Sequence, residues 1–335
     1  MGRRLQDLLV AVIAMIALTA ALFVANLIWG SVSIPLQYLL HPMGIYSTIL
    51  FVLRLPQAYG AVIVGIDLAV AGAVMQAVFR NPLADPYITG TASGAVLGSL
   101  AGIAFAAMVP GVFFLATLLQ PAMGFAGALL ATLLVVLTGR KGGWLALILA
   151  GIAVSIFLSS LATITDSWLL ANGTASFSIF FLLFGSLGSL NASSDIIITL
   201  ASVPVLLFIF WSGKKFNLMA IGDEVANSSG VDASRLRSIM ITASSVLTAL
   251  ALSFTGIIGF VGLISPHITR LAIKDADNSK VLTLCGLVGA AILLLANLLS
   301  KIIIPYTVVP ITAITSLIGA PALIYLIRRG RWIGQ

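Results

Sequence analysis

The side chains able to do chemistry are few and scattered. Among 335 residues stand ten carboxylates, two histidines and one cysteine. The lone Cys285 excludes an intrachain disulfide framework and a multi-cysteine metal site, and it reads as a small buried hydrophobe. No His/Glu cluster has metal-ligand spacing, no catalytic constellation is visible, and no cofactor is expected. His41, beside Pro42, reads as a solvated loop residue, and His267, after Pro266, as a packed one near a helix end. No Gly-x-x-x-x-Gly-Lys-Ser/Thr loop occurs, so the chain carries no P-loop of its own. Asp67 is the one carboxylate expected well inside a hydrophobic run, roughly 15 Å along a helix at 1.5 Å per residue. Buried charge is costly and therefore informative. Either Asp67 is neutral or hydrogen-bonded inside a bundle, or it belongs to an ion-coupled carrier.

The densest polar stretch is 214–237, KKFNLMAIGDEVANSSGVDASRLR. Gly222 can end one short helix, and Asp223 and Glu224 suit the start of the next, where unpaired amides favour negative charge. Gly230 can end that helix in turn. Two short helices lying on a membrane surface make a docking platform; the alternative is a plain solvated loop.

The elements that hold these residues follow from the solvent. The chain is 60% hydrophobic and 8% charged, against about 25% charged in a soluble domain. Too few charges remain to cover a soluble surface, so lipid must bathe most of the chain, and residues 1–335 read as a single membrane domain. Crossing hydrocarbon takes roughly 20 helical residues. The clear runs are 8–29, 57–79, 88–108, 112–138, 144–165, 195–213, 282–303 and 311–327. The first is longer than a signal-peptide core of roughly 7–15 residues and is expected to be a retained crossing. Phe177 to Leu190 is apolar but short, suggesting a re-entrant half-helix. Arg237 and Arg270 enclose 32 uncharged residues, which fit one crossing badly and two tightly.

Charge parity decides that case. The net charge of +7 comes from short basic clusters between hydrophobic runs, a pattern of membrane orientation rather than nucleic-acid binding. With a cytoplasmic amino terminus and two crossings in 238–269, all but Arg54 and Lys301 of the 17 Lys and Arg residues face the cytoplasm. A single crossing would put Arg270, Lys274, Lys280, Arg328, Arg329 and Arg331 outside. The expectation is an all-α integral membrane protein of about ten crossings, both termini cytoplasmic, in a cell membrane. Five crossings followed by five have opposite orientation, which suits an inverted repeat. Gly90, Gly94, Gly98 and Gly102 recur every four residues and line one helix face for close approach, either within the chain or between protomers. Gly65, Ala69 and Ala73 form a weaker version.

Four stretches resemble one family: the permease subunits of ABC importers for iron–siderophore complexes, haem and vitamin B12. Arg54-Leu-Pro opens the second crossing, followed by Gly72-Ala-Val-Met-Gln-Ala-Val-Phe, Arg80-Asn-Pro-Leu-Ala-Asp-Pro and Thr91-Ala-Ser-Gly-Ala. Gly222-Asp-Glu with Ala226 and Gly230-Val is similar to the family's coupling segment. Gly259-Phe-Val-Gly-Leu-Ile-Ser-Pro-His-Ile-Thr-Arg-Leu and Ser316-Leu-Ile-Gly-Ala-Pro complete the order. The resemblance implies a homodimer around a central pathway, two ATPase subunits below and an extracytoplasmic substrate-binding protein above. It implies that Gly222, Asp223, Glu224, Ala226, Gly230 and Val231 contact the ATPase. It also implies that Arg54 and Lys301 receive acidic groups of the binding protein, and that an inner gate lies at Asn81, Leu83 and the Gly143–Trp144 turn. The other reading of the outer cations is that Arg54 anchors a helix end and Lys301 snorkels to water. Gln57, Val308, Asn297, Lys301 and Asp67 depart from the common pattern. The expected function is passage of a metal chelate, driven by a partner's ATP hydrolysis with no enzymatic step in this chain. An ion-coupled secondary transporter is the rival, and only Asp67 answers to it.

Overall fold

In hydrocarbon a segment must satisfy its own backbone, and each long apolar run accordingly winds into a helix. The computed structural model describes residues 2–32, 34–35, 37–38, 41–108, 113–139, 142–173, 180, 182–273, 277–304 and 307–329, and every regular element among them is helical. The helices are α1 (Gly2–Ile28), α2 (Ile45–Phe79), α3 (Thr91–Met108), α4 (Phe113–Gly139), α5 (Gly143–Ala171) and α6 (Ala192–Trp211). Two short ones follow, α7 (Gly213–Ile221) and α8 (Asp223–Ser228), then α9 (Ala233–Thr255), α10 (Val261–Ile273), α11 (Asn278–Ile302) and α12 (Ile311–Arg329). Eight helices, α1 to α6 with α9 and α11, are long and apolar enough to cross a membrane; α10 and α12 hold shorter apolar stretches.

The 32 uncharged residues between Arg237 and Arg270 divide into α9 and α10, as charge parity requires. The break lies at Gly256, whose φ of 71° is left-handed, and Phe260 also takes a positive φ of 68°. Unwound backbone is tolerated at membrane depth only when protein satisfies it. Here Ile257 N donates to Leu182 O (3.0 Å), Ser186 N to Thr255 O (2.8 Å) and Ile311 N to Gly185 O (3.2 Å). The Tyr87 hydroxyl donates to Ile258 O (2.5 Å) and the Thr312 hydroxyl to Ile257 O (2.6 Å). Leu182, Gly185 and Ser186 of the Phe177–Leu190 stretch supply the first three. Of that stretch, residues 177–179 and 181 lie outside the described set, while Phe180 and 182–184 are helical and 185–190 are not.

Three boundaries differ from the sequence expectation. α2 begins at Ile45 rather than 57, so Arg54 lies within the helix. α5 continues to Ala171 rather than 165, so Asp166 is helical and inside the span. α6 begins at Ala192 because Asn191 and Ser194 form a reciprocal capping box (3.0 and 2.9 Å), which draws Asp195 into its first turn. Asp67 is therefore not the sole carboxylate within the apolar helices.

α2 forms the axis of the subunit, with 89% of its membrane window buried, against 6% for α1. It packs on α9, α10 and α11. The glycine ladder packs α3 on α4 inside the chain. A Cβ on Gly94 would stand 2.4 Å from Gly127 O, and one on Gly98 2.1 Å from Met123 O. Small residues are the means of such contact where lipid supplies no hydrophobic drive.

Candidate functional site

The 214–237 stretch folds as its caps dictate. α7 ends and α8 begins at Gly222, and α8 closes at Gly230, whose φ of 79° demands glycine. Val231 N donates to Ala226 O (2.9 Å) and Gly230 N to Asn227 O (3.0 Å), seating fully buried Ala226 beneath the turn. Gly222 is different. Its φ of 167° is extended, and a Cβ there would meet Val225 Cγ2 at an ordinary 3.9 Å, so nothing within this chain requires glycine.

Asp223 does not cap its helix by its side chain. Its carboxylate accepts two hydrogen bonds from Arg237 Nη2, both 2.9 Å, and a third from Arg80 Nη2. The Arg237 hydrogen bonds hold the carboxyl below its ordinary range against partial burial, and the charges of Arg237 and Arg80 add to that effect. Arg80 also donates from Nε to Met219 O (2.8 Å) in α7. It ends α2 in a left-handed conformation, φ 47°, unusual for a residue with a side chain. One carboxylate thus ties α8 to the end of α2 and the start of α9. Beside it Glu224, Ile221 (71% exposed) and Val225 (39% exposed) face outward.

The chain from Arg80 to Gly90 is a stiff turn. Asn81 Oδ1 accepts from Leu83 N (2.9 Å), Ala84 N returns to Asn81 O (3.0 Å), and His267 Nε2 lies 2.8 Å from Pro82 O. His267 is thus a packed residue with a partner. Asp85 caps the following 3-10 turn by accepting from Tyr87 N (2.9 Å), and burial raises its carboxyl to about 6. Leu83 is exposed, as is Trp144, which follows Gly143 at the left-handed start of α5.

Arg54 is placed differently from a free outer cation. It is 5% exposed and donates to the carbonyls of Leu27 (2.8 Å), Ile28 (2.7 Å) and Val32. The carbonyls of Leu27 and Ile28 at the end of α1 have no helical partner, and the guanidinium bonds both; Ile28 O also accepts from Ile34 N (3.1 Å). The geometry matches the helix-anchor reading. Lys301 Nζ is buried without a hydrogen-bond partner, and Arg54 repels it. Asn297 pairs with Asn26: Nδ2 donates to Oδ1 at 2.9 Å, and Asn26 Nδ2 donates to Leu294 O. Asp67 is fully buried in α2 and accepts from the Ser202 hydroxyl of α6 at 2.5 Å. Its other oxygen has no partner. The contacts of Arg80 and Ser202 escaped sequence reasoning because their partners lie 143 and 135 residues away, and that of Arg237, 14 residues from Asp223, because no helical spacing signals it across the break between α8 and α9.

The FecCD transport family profile matches residues 18–329. The "Probable iron chelatin transport system permease protein" of Helicobacter pylori is 36% identical over 294 residues, 86% of this chain and 84% of that one. The vitamin B12 import system permease of Yersinia enterocolitica is 33% identical over 286 residues, 83% of this chain and 81% of that one. A solved ABC transporter assigned to the metal-chelate type, in an inward-facing conformation, superposes with a TM-score of 0.81 at 28% identity, covering 95% of this chain and 98% of its own.

Proposed function

The chain belongs to the FecCD transport family, and from that premise we propose that a homodimer of it, with two ATPase subunits and an extracytoplasmic binding protein, carries a metal chelate across the cell membrane. The chain is the membrane-spanning permease subunit of an ABC importer. Iron chelate and vitamin B12 are what its named relatives carry, and the cargo proposed here is of that chelate class.

The observation that carries the reading is the Asp223 clamp. Outward-facing Glu224, Ile221 and Val225 offer the ATPase a charged and apolar foothold. Any push on α8 reaches Arg80 and Arg237 through one carboxylate, and thence α2 and α9. Arg80 adjoins Asn81–Leu83, so the same pull bears on the inner gate proposed there and at Gly143–Trp144. In this arrangement ten helices cross, counting α10 and α12, in two opposed sets of five with both termini cytoplasmic. Gly222, free of any steric need in the isolated subunit, is the point where the ATPase surface would approach most closely.

A cysteine at Val225 tests the assignment, since the native Cys285 is buried. Val225→Cys should cross-link to the ATPase, and Glu224→Lys should uncouple or release it while the protein still inserts. Absence of the cross-link together with normal stimulated hydrolysis in Glu224→Lys contradicts the reading.

A further inference from the structure

A cavity of about 180 Å³ lies between α3 and α5, roofed by Leu183 and Ile257. Its apolar walls include Val96 and Leu100, and its polar lining is Ser93, Ser159, Thr163 and Asp166. On α5 the last three recur at spacings of four and three, which places them on one helix face. The Ser159 hydroxyl donates to that of Ser93 (3.1 Å), joining the two walls. Asp166 Oδ1 is shut from solvent and has no hydrogen-bond partner. Among the described residues no Lys, Arg or His lines the space. Asp166 stands 23 residues beyond Gly143, roughly 35 Å along α5 at 1.5 Å per residue. That is the end remote from the gate turn, the outer mouth in the topology proposed above.

A carboxylate in a membrane helix that faces a cavity rather than lipid marks a functional pathway. We propose that this cavity receives one hydrogen-bond-donating arm of the chelate, an ammonium or a primary amide, and so favours neutral and cationic chelates over polyanionic ones. The inference rests on the importer reading. The volume suits an arm and not a whole chelate. The Asp166 carboxylate that lines the cavity accepts from an N–H, the hydroxyl oxygens of Ser159 and Thr163 offer further acceptors, and an anionic arm would meet an uncompensated carboxylate.

The test is ATP-dependent uptake by the complete complex in proteoliposomes, with two pairs of chelates that differ only in arm charge. One pair is a ferric trihydroxamate with a terminal ammonium and its succinylated, anionic form. The other is cyanocobalamin and its derivative with side-chain amides hydrolysed to carboxylates. The native complex should prefer the donor-bearing member of a transported pair. Asp166→Asn should lower the ammonium-to-anion ratio at least fivefold, Asp166→Lys should invert it, and Asp166→Glu should restore it. Should the Asp166 variants fail to assemble, Ser159→Ala with Thr163→Val must lower the same ratio. Uptake with equal ratios in native and variant complexes overturns this inference alone. No ATP-dependent uptake of any of the four chelates overturns the importer reading and this inference with it.

Discussion

Asp223 holds three hydrogen bonds from two arginines, and its behaviour with pH follows from them. A carboxyl held below its unfolded value contributes stability above about pH 4 and loses it as pH falls through the folded value. The grip on α2 and α9 should therefore loosen only in acid below about pH 4, and Asp223→Ala should abolish coupled hydrolysis at neutral pH. Asp85 has the opposite sign. Burial raises it to about 6, so between about pH 4 and 6 the folded state binds more protons than the unfolded one and stability falls as pH rises. Asp85→Asn should flatten that slope in a thermal melt across the window. Arg54→Ala should destabilise the subunit, because it strips a charged donor from the part-buried carbonyls of Leu27 and Ile28, and a hydrogen bond to a charged group is worth about 1.5–3 kcal/mol. Lys301→Met removes the charge without placing a carboxylate beside Arg54, so weakened binding-protein affinity in that variant would favour a docking role for Lys301. Asp67→Asn should preserve ATP-driven uptake if the Ser202 contact is structural, and complete loss in a folded variant would place Asp67 in the transport path. Local signals made Gly222, Gly230 and the two carboxylates between them legible, since caps depend on neighbours in sequence. The clamp itself was not legible, because Arg80 and Asp223 stand 143 residues apart.

Among the elements, the α3–α4 contact leaves little room for bulk. A Gly94→Leu change would drive a side chain into Gly127 O, now 2.4 Å from where a Cβ would stand. Overpacking of this kind typically costs about 1–3 kcal/mol, and the variant should assemble poorly in detergent, as size-exclusion chromatography would show. A monodisperse, active Gly94→Leu would mean that α3 can slide on α4. Hydropathy placed most helices to within a few residues, and charge parity called for two helices where α9 and α10 stand. It misjudged the end of α5, because a charged residue such as Asp166 reads as a boundary when its cavity is unseen. It also missed the Asn191–Ser194 box that starts α6 early. The role of residues 182–186 in bonding the 255–260 break had no sequence signal, for backbone partners carry no residue code.

For the whole molecule, the account requires that the bundle be moved from outside itself. Among the described residues the buried polar contacts are local, such as the pairs Asp67 with Ser202 and Asn26 with Asn297, the Thr89, Thr91, Thr132 and Ser245 hydroxyls, and Arg270 with Gln76, rather than a continuous relay across the membrane. The two ion pairs among the described residues, Arg80 and Arg237 with Asp223, tie the short helix α8 to the central helix α2 and to α9. The most direct measurement is uptake of a metal chelate into proteoliposomes holding this chain, its ATPase and the loaded binding protein. The account predicts uptake that requires ATP hydrolysis, persists when proton and sodium gradients are collapsed, and stops in Glu224→Lys. Uptake driven by an ion gradient without ATP, and lost in Asp67→Asn, would contradict it.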